Sequence, residues 1–210
     1  MNYAESMPLP INRRISHLSR NAVVEAALRL TREHGIDGVT MRSLATELGV
    51  TPMAIYHHVL NKDELVGLIA EAAGCEALPL ELGDQAWEEV LREYLMSRWT
   101  SLQDYPGLGA YVVSMPSLGT DPDTYARGVE FFEKAGFSPR VARLAWPYAV
   151  TYVHGRLSVD ANLDRETARS TGLSEIPAKE HVAFGVDAVV AGLQSILERE
   201  TRLNEAEHRA

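Results

Sequence analysis

Two short helical patterns joined by a glycine, within residues 40–62, constrain the fold of this chain most. The first pattern covers residues 40–48, where apolar side chains share one face and the leading threonine can cap the helix. Gly49 ends this helix, because glycine readily adopts the left-handed conformation that a sharp turn between helices requires. The second pattern begins with Thr51 as N-cap and Pro52 at the first helical position. The stretch therefore predicts a helix-turn-helix.

The residues after this turn predict a further helix and the charge of the surface. Asn61 can cap a third helix, and Glu64 three residues later completes a capping box. From Leu48 to Lys62 there is no Asp or Glu, so a phosphate backbone can approach this surface without charge repulsion. Both observations favour a helix-turn-helix that binds nucleic acid.

This stretch resembles the N-terminal DNA-binding domain of the tetracycline-repressor (TetR) family of one-component transcriptional regulators. The family pattern is a threonine ahead of the first helix, an apolar–alanine pair, glycine–valine at the turn, an apolar–tyrosine pair, a histidine and a later lysine. The matching residues here are Thr40, Leu44, Ala45, Gly49, Val50, Ile55, Tyr56, His58 and Lys62, followed by Leu65. The resemblance covers about residues 15–75 and implies an all-α fold, with a three-helix DNA-binding domain ahead of a C-terminal helical domain that binds a ligand and dimerises.

The predicted organisation is an arm over residues 1–16, a helix-turn-helix domain over residues 17–66 and an effector-binding and dimerisation domain over residues 67–210. The arm holds two prolines and lacks helical periodicity, so we expect it to be flexible. Arg13 and Arg14 lie in a stretch without acid, and we expect the arm to follow the DNA backbone or to enter a minor groove. The alternative is a solvated arm that does not touch DNA.

The net charge of −9 at first argues against a nucleic-acid partner, but the charges are unevenly distributed. Residues 1–66 hold seven basic and seven acidic residues, so the whole excess of acid lies in residues 67–210. The DNA-binding domain is nevertheless not strongly basic. We therefore expect tight binding to need two correctly spaced copies of this domain.

Other features of the sequence bear on the cellular compartment. No apolar run reaches the roughly 18 residues of a membrane span, and the N-terminus lacks an apolar leader. The one cysteine, Cys75, excludes an intrachain disulfide framework and fits a reducing compartment. We expect a cytoplasmic protein with no membrane partner.

The C-terminal part is predicted to be helical throughout. Apolar residues recur at helical spacing in five segments: residues 84–103, 108–115, 122–135, 138–159 and 178–200. Pro147 is expected to kink or restart the fourth of these helices. Residues 160–177 are polar and predict a loop, and the charged tail after Thr201 predicts a frayed end.

The last predicted helix carries an apolar stripe at alternating spacings of four and three residues: Val182, Val186, Val189, Leu193 and Ile196. Gly185 and Gly192 would let another helix approach closely. The stripe can pack inside its own domain or against a second copy of the chain. In the TetR family the last two long helices form a four-helix bundle across a two-fold axis, so the resemblance implies that this stripe is the interface of a homodimer.

The exposed side of the helix-turn-helix supplies the candidate DNA-binding residues. Ile55 and Val59 are expected to face inward, and Arg42 is the best candidate for a bidentate contact to guanine or phosphate. By resemblance, the residues that mostly grip phosphates are Thr51, Tyr56, His58 and Lys62. The predicted DNA-binding residues are Arg42, Thr51, Pro52, Met53, Ala54, Tyr56, His57, His58 and Lys62. The alternative for each is an ordinary surface residue.

Two further patterns concern bound metals and ligands. The adjacent histidines 57 and 58 point about 100° apart on a helix, whereas metal-binding pairs lie three or four residues apart, so no metal site is predicted. The resemblance implies an effector pocket between the C-terminal helices, and aromatic residues with a few polar groups suit its lining. The predicted ligand-binding residues are Trp99, Tyr111, Met115, Trp146, Tyr152 and His154. The alternative is that they belong to the domain core.

The sequence thus predicts a sequence-specific DNA-binding transcriptional regulator, a homodimeric repressor that a small-molecule ligand releases from its double-stranded operator. One alternative is a regulator of the same fold that has no small-molecule effector or acts as an activator. Another is a helical-bundle enzyme with an accidental helix-turn-helix. The sequence has no P-loop, no G-x-S-x-G and no Gly-rich strand–helix junction, so no cofactor and no catalytic residue are predicted.

Overall fold

The structure, a computed structural model, describes residues 18–74, 80–115, 122–163 and 165–207, and within these ranges it contains helices and no strand. Its α-helices there are α1 (Arg20–Gly38), α2 (Met41–Leu48), α3 (Pro52–Tyr56), α4 (Lys62–Gly74), α5 (Trp87–Gln103), α6 (Leu108–Ser114), α7 (Pro122–Lys134), α8 (Pro139–Asn162), α9 (Arg165–Ser170) and α10 (Ala178–Glu207). A short 3-10 helix, Leu173–Glu175, precedes α10. The predicted all-α fold is confirmed. The predicted arm over residues 1–16 and Cys75 lie outside the described residues.

Local hydrogen bonds form the helix-turn-helix as the sequence predicts. Thr40 Oγ1 accepts a hydrogen bond from the backbone N–H of Ser43 at 3.0 Å, and Ser43 Oγ accepts one from the N–H of Thr40 at 2.8 Å. Gly49 follows α2 in the left-handed conformation, with φ at 67°. Thr51 caps α3 by accepting a hydrogen bond from the N–H of Ala54 at 3.4 Å. The two helices are therefore held at a sharp turn and pack on each other.

The start of α4 differs from the predicted capping box in one bond. Asn61 Oδ1 accepts a hydrogen bond from the N–H of Glu64 at 2.8 Å, as predicted. The Glu64 carboxylate, however, accepts one from the N–H of Leu60 at 2.6 Å rather than from that of Asn61. Its other oxygen pairs with Arg20 of α1 at 2.6 Å. The same side chain therefore caps α4 and links it to α1.

The apolar side chains form two cores, and the division does not follow the predicted domain boundary at residue 66, which falls inside α4. The first core joins α1 to α4 with the end of α5 and with α6, and its buried members there include Leu102, Tyr105, Leu108 and Val112. The second core joins α5, α7, α8 and α10. Helix α6 is thus packed into the same core as the helix-turn-helix.

Three features of the C-terminal part correct the prediction. Helix α8 continues through Pro147 without restarting, because neighbours on both sides, such as Trp146 and Ala149, are buried in the core. The predicted loop over residues 160–177 contains α9 and the 3-10 helix. Helix α10 extends beyond residue 200 to Glu207, since the added sequence is rich in Glu, Arg and Leu, which favour helix.

The stripe on α10 faces the core of its own domain, so its prediction as the dimer interface is wrong. Val182, Val186, Val189 and Leu193 are at most 4% exposed in the single chain, and Ile196 packs against the same core. The partners of this side of α10 are α5 and α8. At Gly185 an added Cβ would meet the Tyr152 hydroxyl of α8, so this glycine admits a helix of the same chain.

A different side of α8 and α10 carries exposed apolar residues. On α10, Phe184 is 79% exposed, and Gly192 has open space beside it. On α8, Leu144, Tyr148 and Val159 are 63%, 61% and 48% exposed. With one side in the core and further apolar residues on the surface, α10 is long and apolar enough by composition to cross a membrane. The exposed residues instead suit an interface between two helical pairs.

Candidate nucleic-acid interface and buried cationic site

The predicted DNA-binding residues lie at the surface of the helix-turn-helix, around the start of α2, α3 and the start of α4. Ile55 and Val59 are 0% and 1% exposed and turn α3 toward the core, as predicted. Met53 and Tyr56 on its outer side are 67% and 47% exposed. The exposed positions in this set are Arg42, Thr51, Pro52, Met53, Tyr56 and His57, and the half-buried ones are Ala54, His58 and Lys62.

The charges around Arg42 leave its guanidinium available. It makes no ion pair with any residue that the structure describes, and it sits on the exposed first turn of α2. Glu47, the acidic residue further along α2, pairs with Arg29 of α1 at 3.3 Å. The acid nearest to Arg42 in sequence is therefore at least partly neutralised, although such an exposed pair is weak.

Lys62 and Asp63, in the first turn of α4, both contact Tyr111 of α6. The Lys62 ammonium lies 5.3 Å from the centre of the Tyr111 ring. The Tyr111 hydroxyl donates a hydrogen bond to Asp63 Oδ1 at 2.9 Å. Burial and then this bond raise the pKa of Tyr111. A residue predicted to bind ligand thus joins α6 to the DNA-binding helices, which corrects its assignment.

The corner between α5 and α6 is also bound to the end of α1. Gly35 interrupts α1 with a φ of 70°, and this turn lets the N–H of Ile36 donate a hydrogen bond to the carbonyl of Pro106 at 2.9 Å. An added Cβ at Gly35 would stand 3.2 Å from the same carbonyl. Arg32 places its guanidinium 4.7 Å from the centre of the Tyr105 ring. The position of this corner therefore affects the DNA-binding helices directly.

The other predicted ligand-binding residues do not lie together. Met115 is buried in the core of the helix-turn-helix. Trp99 and Trp146 are buried in the second core, and their indole nitrogens have no hydrogen-bond partner among the described residues. The Tyr152 hydroxyl is engaged with the carbonyls of His181 and Val182 at 3.2 and 3.3 Å. Tyr152 therefore joins α8 to α10, and this corrects its prediction as a ligand contact.

His154 is 2% exposed and lies beside Arg98 of α5, which is 8% exposed. The Arg98 Nε–H donates to His154 Nε2 at 3.4 Å. Burial and then the Arg98 charge lower the pKa of His154 to about 3, so its ring is neutral. An added Cβ at Gly74, the last residue of α4, would stand 2.1 Å from Arg98 Nη1, so the guanidinium lies against this glycine. Arg98 and His154 form a buried cationic site between α4, α5 and α8.

Arg98 is absent from the predicted site residues, although the sequence contains a signal for it. The apolar stripe of α5 includes Leu91, Tyr94, Leu95 and Leu102, and residue 98 lies on the same face at helical spacing. A charged residue inside an apolar stripe is rarely buried unless it is paired or binds something.

An open cavity of about 450 Å³ lies near this site, between the end of α5, α6 and α8. Its lining includes Leu102, Gln103, Tyr105, Gly109, Leu157 and Asp160. Gly109 of α6 approaches the carbonyl of His154, where an added Cβ would be 3.4 Å away. The cavity and the cationic site therefore share the same three helices.

Two sets of relatives were found by sequence. Residues 23–69 match the family described as bacterial regulatory proteins, tetR family. The chain is 36% identical over 133 residues to the class D tetracycline repressor protein of Escherichia coli, and this match covers 60% of the chain and 59% of that repressor, less than two thirds of its length. It is 31% identical over 208 residues to the class G repressor of Vibrio anguillarum, covering 87% of the chain and 96% of that protein.

Solved structures share the whole arrangement of helices. A TetR variant from Acinetobacter baumannii AYE in complex with minocycline superposes with a TM-score of 0.68 at 28% identity, covering 86% of this chain and 98% of that one. BioQ with its double-stranded DNA operator superposes with a TM-score of 0.63 at 28% identity, covering 85% and 99%. Because the similarity to the class G repressor extends over nearly the full length of both sequences, the chain belongs to the tetR family of bacterial regulatory proteins.

Proposed function

We propose that this protein is a sequence-specific DNA-binding transcriptional regulator, a homodimeric repressor that a small molecule releases from its operator. The observation that carries the proposal is the exposed, acid-free surface of α3, which shares one core with α6 of the C-terminal part. Relatives named as repressors, one neighbour bound to operator DNA and another bound to minocycline support the same function. Membership of a family of regulatory proteins favours this function over the helical-bundle enzyme.

In this proposal α3 enters the major groove and α2 and α4 hold the backbone. Met53 and Ala54 contact apolar edges such as thymine methyls, and His57 supplies a hydrogen bond. Arg42 reads a guanine or binds a phosphate. Thr51, Pro52, Tyr56, His58 and Lys62 lie along the edges of the same surface and position it on the phosphates.

The second α-helical pair would supply the dimer contact, through the side of α8 and α10 that is exposed in the single chain. Phe184, Leu144 and Tyr148 are each more than 60% exposed on these helices. A two-fold axis beside them would cover the apolar residues of both copies and form a bundle of four helices. This places the interface on the opposite side of α10 from the stripe that contains Val189.

Release by a ligand follows from the packing of α6. A ligand that binds preferentially to one arrangement of α5, α6 and α8 shifts the population toward that arrangement. Because Tyr111 bonds Asp63 and the corner at Pro106 bonds Ile36, a shift of α6 moves α4 and α1 with it. The two DNA-binding domains of a dimer then no longer match successive major grooves about 34 Å apart, and operator affinity falls.

The experiment is selection of duplexes from a random DNA library by the purified full chain, followed by sequencing. We expect enrichment of a two-fold symmetric site whose half-sites are about one helical turn apart. Retention of DNA without any enriched sequence would contradict a sequence-specific regulator.

A further inference from the structure

The Arg98 guanidinium is a buried cation without an acidic partner. It is 8% exposed, and no carboxylate among the described residues lies within ion-pair distance of it. Its one hydrogen bond to a described residue is the long one to His154, through Nε, so neither Nη nitrogen has a partner there. Burying a charge in this way is costly unless another group neutralises it.

The groups around Arg98 offer few acceptors. The ring of His154 is neutral, and because its Nε2 accepts from Arg98, its proton is assigned to Nδ1, which is then a donor. The guanidinium also lies against Gly74, at the C-terminal end of α4, where unpaired carbonyls carry a partial negative charge. This favours a cation but does not neutralise it. The nearby Asp160 carboxylate is already paired with Arg156.

We propose that Arg98 and His154 form the anion-binding subsite for the effector, which is a small molecule with a single carboxylate or similarly acidic oxygen group on an apolar body. The proposal rests on the ligand-responsive function proposed above and names the chemical class of that ligand. One buried cation matches one negative charge. The surrounding core and the cavity beside Leu102, Gly109 and Leu157 match an apolar remainder.

The position of this subsite would connect ligand binding to the DNA-binding helices. Arg98 touches the last residue of α4, and the opposite end of α4 carries Lys62 and Asp63 at the DNA-binding surface. An anion that draws the guanidinium toward itself changes the contact at Gly74. The subsite therefore lies where it can reposition α4.

The competing explanation is structural, with Arg98 serving only to cap the end of α4. The two explanations predict opposite effects on the free protein. A structural cap stabilises the fold, so its removal lowers the melting temperature. An unneutralised charge held for a ligand destabilises the free protein, so its replacement by an apolar side chain of similar length leaves the melting temperature unchanged or raises it.

The test compares the full-length parent with Arg98→Met, Arg98→Lys and Arg92→Met. The last is a matched control, since Arg92 is on the same helix but is 41% exposed and pairs with Asp187. The probes are two acids and their uncharged amides, naphthoate with naphthamide and decanoate with decanamide. Thermal unfolding and titration calorimetry measure their binding, and operator binding without probe is recorded for every variant.

For the parent and Arg92→Met we expect an acid to raise the melting temperature and to bind at least about tenfold more tightly than its amide. Arg98→Met should melt no lower than the parent without probe and lose the preference for the acid. Arg98→Lys, which keeps the charge, should retain that preference, and it decides the question if Arg98→Met fails to fold.

The proposal is overturned if acids and amides act alike on the parent, if Arg98→Lys loses the preference, or if a folded Arg98→Met melts below the parent. A protein that binds its operator but does not distinguish acids from amides refutes only the anion subsite. A parent that selects no DNA sequence refutes the proposed function instead.

Discussion

The Tyr111 hydroxyl donates a hydrogen bond to Asp63 Oδ1 at 2.9 Å, and this bond links α6 to the first turn of α4. Replacing Tyr111 by Phe keeps the ring under the Lys62 ammonium but removes the bond. We expect the free energy of unfolding to fall by about 0.5–1.5 kcal/mol and operator affinity to fall with it, because the start of α4 is held less firmly. Urea unfolding and fluorescence anisotropy with labelled operator measure the two effects.

Tyr125→Phe is the matched control, since the Tyr125 hydroxyl bonds the carbonyl of Arg143 at 3.1 Å, away from the DNA-binding helices. It is expected to leave operator affinity unchanged. If Tyr111→Phe bound operator as tightly as the parent, this link would not serve DNA binding.

Arg42→Ala is expected to relax sequence specificity. If Arg42 forks onto a guanine, its loss costs about 1–3 kcal/mol on the operator and little on random DNA. Competition of operator against random duplex measures the ratio. An unchanged ratio would show that Arg42 does not read a base.

Lys62→Ala should weaken operator and random DNA alike, because its predicted partner is a phosphate. The slope of log affinity against log salt concentration is expected to become shallower by about 0.9, which is the share of a single phosphate neutralised by one lysine. Titrations at several salt concentrations supply the slope. An unaltered slope would mean that the Lys62 ammonium, held above the Tyr111 ring, does not reach the backbone.

Phe184→Arg should separate the dimer without unfolding the chain, because Phe184 is 79% exposed in the single chain. Two added charges would face each other across the two-fold axis. Analytical ultracentrifugation is expected to show a monomer with native helix content by circular dichroism. Val189→Asp provides the contrast, since a charge at this 4% exposed position costs about 3–5 kcal/mol and unfolds the domain. A stable Phe184→Arg dimer would place the interface elsewhere.

Stability should depend on pH through His154. Its pKa is lowered to about 3 in the folded chain and returns to its ordinary value near 6.5 in the unfolded chain. Between these values the unfolded chain binds a proton that the folded chain does not, so the free energy of unfolding falls as pH drops. The expected loss from pH 7 to pH 5 is about 2 kcal/mol. Urea unfolding of His154→Gln, which lacks the titrating ring, should show a smaller loss; an equal one would contradict the assignment.

The helix-turn-helix was predictable because its determinants are local. Thr40, Gly49 and Thr51 each act on a backbone group within a few residues, so the sequence alone indicates where α2 ends and α3 begins. The same holds for the inward side of α3 at Ile55. Contacts between distant parts of the chain, such as Tyr111 with Asp63, leave no local pattern and could not be predicted.

The α10 stripe shows a different limit. Valines at spacings of four and three require a packing partner, but the spacing is the same whether that partner is α8 of the same chain or a second copy. The resemblance to a dimeric family favoured the second copy, and the structure places Val182 and Val186 against the domain's own helices. For the ligand site, aromatic spacing marked core residues, whereas the informative residue was Arg98, the charge inside an apolar stripe.

Footprinting combined with a stoichiometric titration tests most directly whether two copies of this helix-turn-helix read one operator. The duplex would be the one enriched by selection, titrated at a concentration far above its dissociation constant. The expected result is two bound chains per duplex, with two protected major-groove segments about one helical turn apart, and loss of both with Phe184→Arg. One bound chain per duplex, or equal protection of random DNA, would contradict the account.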